Sequence, residues 1–104
     1  ISLSFSEELF GPVACIIKAK NTEEAIEIAN ETNFGLGASL WSQNLEEGEQ
    51  LLQKLNAGSV YLNSMVKSDA SMPFGGINQS GFGRELGVYG LYEFCNLKSF
   101  IIEK

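Results

Sequence analysis

The residues able to do chemistry in this 104-residue chain are carboxylates, two thiols and a few loop hydroxyls, with no histidine among them. Lacking imidazole, a zinc site loses its common ligand and a serine triad its base. A nucleophilic thiolate needs an accessible position and cationic or dipolar surroundings. Cys15 lies between Ala14 and Ile16, and Cys95 follows Phe94 at a helix-to-strand junction, so both read as packing residues. They have no CxxC spacing; a disulfide between them stays open, and reduced thiols are the expectation for a cytosolic protein. In Glu7-Glu8-Leu9-Phe10-Gly11-Pro12-Val13 a carboxylate can accept two hydroxyl donors. By residue type alone, the same run reads as an exposed acidic turn with Phe10 in the core.

A second run, Pro73-Phe74-Gly75-Gly76-Ile77-Asn78-Gln79-Ser80-Gly81-Phe82-Gly83-Arg84-Glu85-Leu86-Gly87, specifies backbone shape before side-chain chemistry. Glycine at this density lets a ligand, a ring or another backbone approach closely. Its second half imitates a dinucleotide fingerprint, but the third glycine falls one position late and no hydrophobic strand precedes it. The structural reading is a tight crossing of chain segments, with Arg84 and Glu85 held in hydrogen bonds or ion pairs.

Among the elements that must position these residues, Val13–Lys18 is apolar and β-branched, as for a strand covered on both faces. Asn21 or Thr22 caps a helix through about Glu31, with Glu23 and Glu24 against the positive end of its dipole. Asn33-Phe34-Gly35-Leu36-Gly37 turns into a second strand, Ala38–Ser42, containing Trp41. Asn44 with Glu47 fits a variant capping box for a helix with Leu45, Leu51, Leu52 and Leu55 on one stripe, stopped at Gly58. Ser59–Asn63 is a third strand, Ser64–Gly83 a long loop of the kind that serves a function, Glu85–Phe94 a short helix interrupted by Gly87 and Gly90, and Leu97–Ile102 a last strand. The fold class is α/β, a largely parallel sheet with crossover helices.

Thirteen acidic against seven basic residues give a formal charge of −6, which opposes binding to nucleic acid or anionic membranes. No apolar run is long enough to cross a bilayer, and no metal-ligand cluster is present. The chain begins with Ile1, shows no signal or transit segment and has room for one domain, 1–104, so it reads as an intracellular, cytoplasmic piece of something longer.

The Glu7–Val13 motif and the Pro73–Gly87 run, in this order and at this distance, resemble the C-terminal part of NAD(P)-dependent aldehyde dehydrogenases. The resemblance extends over nearly the whole chain. Asn63-Ser64-Met65-Val66-Lys67-Ser68-Asp69 and Glu93-Phe94-Cys95-Asn96-Leu97-Lys98 are similar to the succinate-semialdehyde dehydrogenase branch. The resemblance implies that the fold is part of a catalytic domain and that Glu8 bonds the nicotinamide ribose hydroxyls. Phe10 packs near the nicotinamide, Phe74 walls the aldehyde channel, and the Ser68 hydroxyl donates to a distal substrate carboxylate, with Lys67 an additional candidate; by residue type Ser68 reads equally as an ordinary loop serine. Glu8 and Phe74 are then expected at one shared cleft, with Glu7 a solvated neighbour.

The resemblance further implies NAD or NADP as cofactor, an aldehyde as substrate and homo-oligomerisation through 97–104. An isolated strand of that kind is an adhesive edge, so the chain alone is expected to self-associate. The reaction implied is thiolate attack, hydride transfer to the nicotinamide and thioester hydrolysis. No stretch of the chain matches the family's catalytic cysteine, glutamate base, oxyanion-hole asparagine or dinucleotide-binding region, so the chain alone is expected to be inactive. Two alternatives remain at this level: a non-catalytic assembly module, and a dehydrogenase that releases its acyl group to coenzyme A.

Overall fold

In a computed structural model, residue 5 and residues 7–104 are described. From Thr22 onward the element order is α1 (Thr22–Asn30), β1 (Gly37–Leu40), α2 (Leu45–Leu52), β2 (Ser59–Leu62), a 3-10 turn (Asn78–Ser80) and α3 (Gly87–Tyr92). β1 and β2 are parallel, with Gly37 opposite Ser59 and Leu40 opposite Leu62, and α2 is the crossover between them. This is the α/β strand-helix-strand unit expected from the alternation of patterns.

Both longer helices begin where short polar side chains can take an orphan N–H. Asn21 caps α1 by accepting from Glu24 N at 2.8 Å, and Asn44 caps α2 by accepting from Glu47 N at 3.2 Å. Such a cap contributes about 1 kcal/mol. The capping box around α2 is half-formed, because the Asn44 N–H goes to the Ser42 hydroxyl at 3.1 Å and not to Glu47. Close packing of α2 on β2 uses Gly48, where a Cβ would stand 2.7 Å from Leu62 Cδ1.

Several boundaries differ from expectation, each for a local reason. β1 stops at Leu40 and leaves Trp41 outside the sheet and two-thirds exposed. β2 stops at Leu62 because Asn63 turns into the left-handed region, φ 53°, where asparagine is more tolerant than most residues. α3 is shorter than Glu85–Phe94. Glu85 is committed to an antiparallel bridge with Phe74, Leu86 has φ 64°, and Gly87 starts the helix where it was expected to interrupt it. The loop after β2 is interrupted by that bridge and by the 3-10 turn.

Two expected strands, 13–18 and 97–102, are not formed among the described residues. A β-branched run becomes a strand only with a ladder to join, and the two-stranded sheet extends to neither segment. Ile16 is 93 % exposed, and Leu97 98 %. The cysteines also differ from expectation: both are exposed, with Cys95 Sγ donating to Leu91 O at 3.3 Å.

Among the described residues no hydrophobic side chain is buried, and the buried residues are Gly35, Gly48, Gly76 and Gly90. The radius of gyration is 17.9 Å, against about 13 Å for a compact domain of 100 residues. The tightest packing among the described residues is therefore backbone interlock at glycines, while side chains such as Leu62 and Ile77 are half-buried and many large apolar ones are exposed, a surface of the kind that interfaces carry.

Candidate functional site

The segment 33–36, between α1 and β1, is the platform on which the later loop docks. The Gly35 carbonyl accepts from Gly58 N and from Ile77 N, both at 3.0 Å, while Gly35 N donates to Ser80 Oγ at 3.0 Å. Gln79 N adds a bond to Asn33 O at 2.9 Å. A Cβ on Gly35 would lie 2.5 Å from Ile77 Cγ1, so this convergence requires a residue without one. The Asn30 side chain fixes the other side, donating to Lys54 O and accepting from Asn56 N, each at 2.8 Å.

The loop carrying Phe74 is closed by a second set of bonds. Phe74 and Glu85 exchange both backbone hydrogen bonds at 2.8 Å, and Arg84 Nη1 donates to Gly76 O at 2.9 Å and to Gly83 O at 2.6 Å. The Glu93 carboxylate receives Arg84 N at 3.4 Å. Arg84 and Glu85 are thus structural, in agreement with the tight-crossing reading. Gly75 presses its carbonyl against Gly58, where a Cβ would come within 1.7 Å of that oxygen.

Two neighbouring depressions flank this interlock. The first, about 550 Å³, is lined by Glu7, Glu8, Phe34, Gly35, Leu36 and Ser80, among others. The second, about 390 Å³, is lined by Phe74, Gly75, Leu36, Ser80, Phe82 and Arg84, among others. Leu36 and Ser80 belong to both, so Glu8 and Phe74 face separate depressions with a common wall. Phe10 is 94 % exposed and lines neither, and Ser68 is exposed on the loop between β2 and Phe74 and lines neither. Glu8 is exposed and makes no hydrogen bond with the described residues, leaving both carboxylate oxygens open to donors. Sequence reasoning did not single out Ser80 or Gly35; the signal was present, in a serine set inside the glycine run and a glycine following Phe34.

Near Ser68 the Asp69 carboxylate accepts from Ser71 Oγ at 2.6 Å and Ser71 N at 2.8 Å. These bonds, hydroxyl first, hold its carboxyl below the ordinary aspartate value, with the Lys67 charge assisting and desolvation opposing. Because the folded value is depressed, whatever this contact contributes is present above the ordinary aspartate pKa, about 4, and is lost as pH falls through the lower folded value. A carboxyl-carbon NMR titration is expected to place Asp69 below the ordinary range, and Ser71→Ala to return it upward. An unchanged titration in the variant would contradict the assignment.

Among the described residues there is no cluster of His, Cys, Asp and Glu able to hold a metal, and no helix long and apolar enough to cross a membrane. Residues 2–100 match the model of the aldehyde dehydrogenase family. The probable succinate-semialdehyde dehydrogenase [NADP(+)] of Synechocystis sp. is 51 % identical over 96 residues, which cover 92 % of this chain and 21 % of that protein. Succinate-semialdehyde dehydrogenase [NADP(+)] 1 of Mycobacterium tuberculosis is 46 % identical over 95 residues, 91 % of this chain and 21 % of the relative. The chain thus spans about a fifth of the length of these curated relatives. Among solved structures, succinic semialdehyde dehydrogenase from Streptococcus pyogenes in complex with NADP+ superposes with a TM-score of 0.89 at 38 % identity, covering 100 % of this chain and 24 % of that one. Betaine aldehyde dehydrogenase from Staphylococcus aureus in complex with NAD+ gives 0.82 at 38 % identity, covering 86 % and 18 %. With the family model matched from residue 2 to residue 100 and the backbone of its solved members followed closely, the chain belongs to the aldehyde dehydrogenase family.

Proposed function

We propose that this chain is the C-terminal part of a longer aldehyde dehydrogenase that oxidises succinate semialdehyde to the carboxylic acid with NAD(P). The observation that carries this reading is the pairing of Glu8 and Phe74 across the common wall of Leu36 and Ser80, in a chain whose curated relatives include NADP(+)-dependent succinate-semialdehyde dehydrogenases. Glu8 fits a ribose partner on its chemistry: two open acceptor oxygens lining a depression suit two hydroxyl donors, and charge-assisted bonds are about twice as strong as neutral ones. NAD(P), when bound, supplies the acceptor for the hydride leaving the aldehyde carbon. Phe10 covers the nicotinamide side, Phe74 confines the aldehyde, and the Ser68 hydroxyl donates to the distal carboxylate, with Lys67 adding positive charge nearby.

The nucleophile, base and dinucleotide-binding region belong to other parts of the complete enzyme. That enzyme is cytoplasmic and homo-oligomeric, with residues 97–104 pairing with a neighbouring subunit's sheet. The exposed apolar side chains of Leu97, Phe100, Ile101 and Ile102 are what such pairing would cover.

The test is aldehyde-dependent formation of NADH or NADPH. The complete enzyme is expected to turn over succinate semialdehyde, and the 104-residue chain alone to show no activity above buffer, because without the nucleophile the covalent route is closed. Turnover by the chain alone, or a complete enzyme that ignores succinate semialdehyde, would refute the reading.

A further inference from the structure

Ser68 stands between two backbone positions that are each held by a side chain. On its N-terminal side, the Tyr61 hydroxyl donates to the Lys67 carbonyl at 2.5 Å. On its C-terminal side, Asp69 is held through its carboxylate by Ser71 N and Oγ, at 2.8 and 2.6 Å, and through its carbonyl by Met72 N at 3.1 Å. The loop leaves the sheet at Asn63, whose amide accepts from Ser42 N and donates to Ser42 O, each at 2.8 Å, so its first residue is fixed as well. Tyr61 is half-buried and stands opposite Ser39 in the β1–β2 ladder, which couples the hydroxyl that holds Lys67 to the most regular part of the chain.

A serine hydroxyl on an exposed loop rotates freely and orders a ligand poorly unless its backbone is fixed by surrounding contacts. We infer that Tyr61 and Ser71 are positioning residues that fix the loop on either side of Ser68 and so set the selectivity of the enzyme for aldehydes bearing a distal carboxylate. The inference rests on the reading of Ser68 as the carboxylate contact and assigns neither residue a contact with substrate. Tyr61 acts through the Lys67 carbonyl, and Ser71 through Asp69.

The experiment is steady-state kinetics of the complete enzyme with succinate semialdehyde and with butanal, which lacks the carboxylate. Tyr61→Phe removes one oxygen and is expected to raise KM for succinate semialdehyde about fivefold, with kcat and the butanal parameters unchanged. Ser71→Ala is expected to act in the same direction, and Ser71→Thr, which keeps the hydroxyl, to restore the wild-type value. In a Ser68→Ala background, Tyr61→Phe is expected to add nothing, since the group it positions is gone.

An equal rise in KM for both aldehydes, a fall in kcat alone, or an undiminished effect of Tyr61→Phe in the Ser68→Ala background would each overturn the inference. The supporting reading fails separately: Ser68→Ala that leaves KM for succinate semialdehyde unchanged removes the carboxylate contact itself, and the positioning role with it.

Discussion

Replacing Glu8 with alanine in the complete enzyme is expected to lower kcat/KM for the dinucleotide about 10²-fold, roughly 3 kcal/mol, as two hydrogen bonds to one carboxylate are lost together. Glu8 has both oxygens open in a depression, and on the proposed ribose contact the loss of this charge-assisted acceptor would leave two sugar hydroxyls to find water. Glu7 lines the same depression, which makes it the informative control. Glu7→Ala is expected to change the same parameter less than about threefold, the ordinary consequence of removing an exposed carboxylate. Kinetics with varied dinucleotide at saturating aldehyde check this. A reversed order, with Glu7 the sensitive residue, would move the ribose contact one position along the chain.

The second large effect is expected from a single methyl group at Gly58. An alanine there would bring its Cβ within 1.7 Å of the Gly75 carbonyl oxygen, and backbone, unlike a flexible side-chain tip, cannot step aside. Gly58 also donates to Gly35 O at 3.0 Å, so moving it disturbs the platform that the loop docks on. Overpacking of this severity is expected to cost about 3 kcal/mol or more, at the upper end for small-to-large changes. Because Gly75 adjoins Phe74, the aldehyde wall proposed for Phe74 would shift with it, and Gly58→Ala is expected to lower both melting temperature and, on that proposal, kcat/KM for the aldehyde. Gly11→Ala is the control for melting temperature, since none of the described residues stands within 4 Å of the Cβ it would add. A Gly58→Ala enzyme that melts with the wild type would mean that the interlock gives way without cost.

The elements legible in the sequence are those whose causes are local. Asn21 and Asn44 cap helices where short polar side chains meet an apolar periodicity, and the alternation from α1 to β2 yields a parallel pair joined by a crossover helix. The glycine run was readable as a close crossing, and Gly58, Gly75 and Gly76 bear that out. What could not be read is whatever depends on partners. Val13–Lys18 and Leu97–Ile102 have the composition of strands, yet strand formation is decided by the neighbour that supplies the ladder.

The same limit governs the candidate site. Glu8, Phe10, Ser68 and Phe74 stand out only by motif resemblance, and the chain brings Glu8 and Phe74 to adjoining depressions while leaving Phe10 and Ser68 exposed and outside both. The residues that connect the depressions, Leu36 and Ser80, are far apart in sequence and meet because Ser80 Oγ accepts from Gly35 N. A long-range hydrogen bond of this kind leaves little trace in local periodicity.

A crystal structure of the complete enzyme with NADP bound would measure the decisive geometry directly. The expected result is a Glu8 carboxylate about 2.7 Å from the nicotinamide ribose hydroxyls, with the Phe74 ring bordering the same cleft on the aldehyde side. A Glu8 carboxylate in solvent away from the ribose, or a Phe74 ring on the opposite face of the protomer, would contradict it.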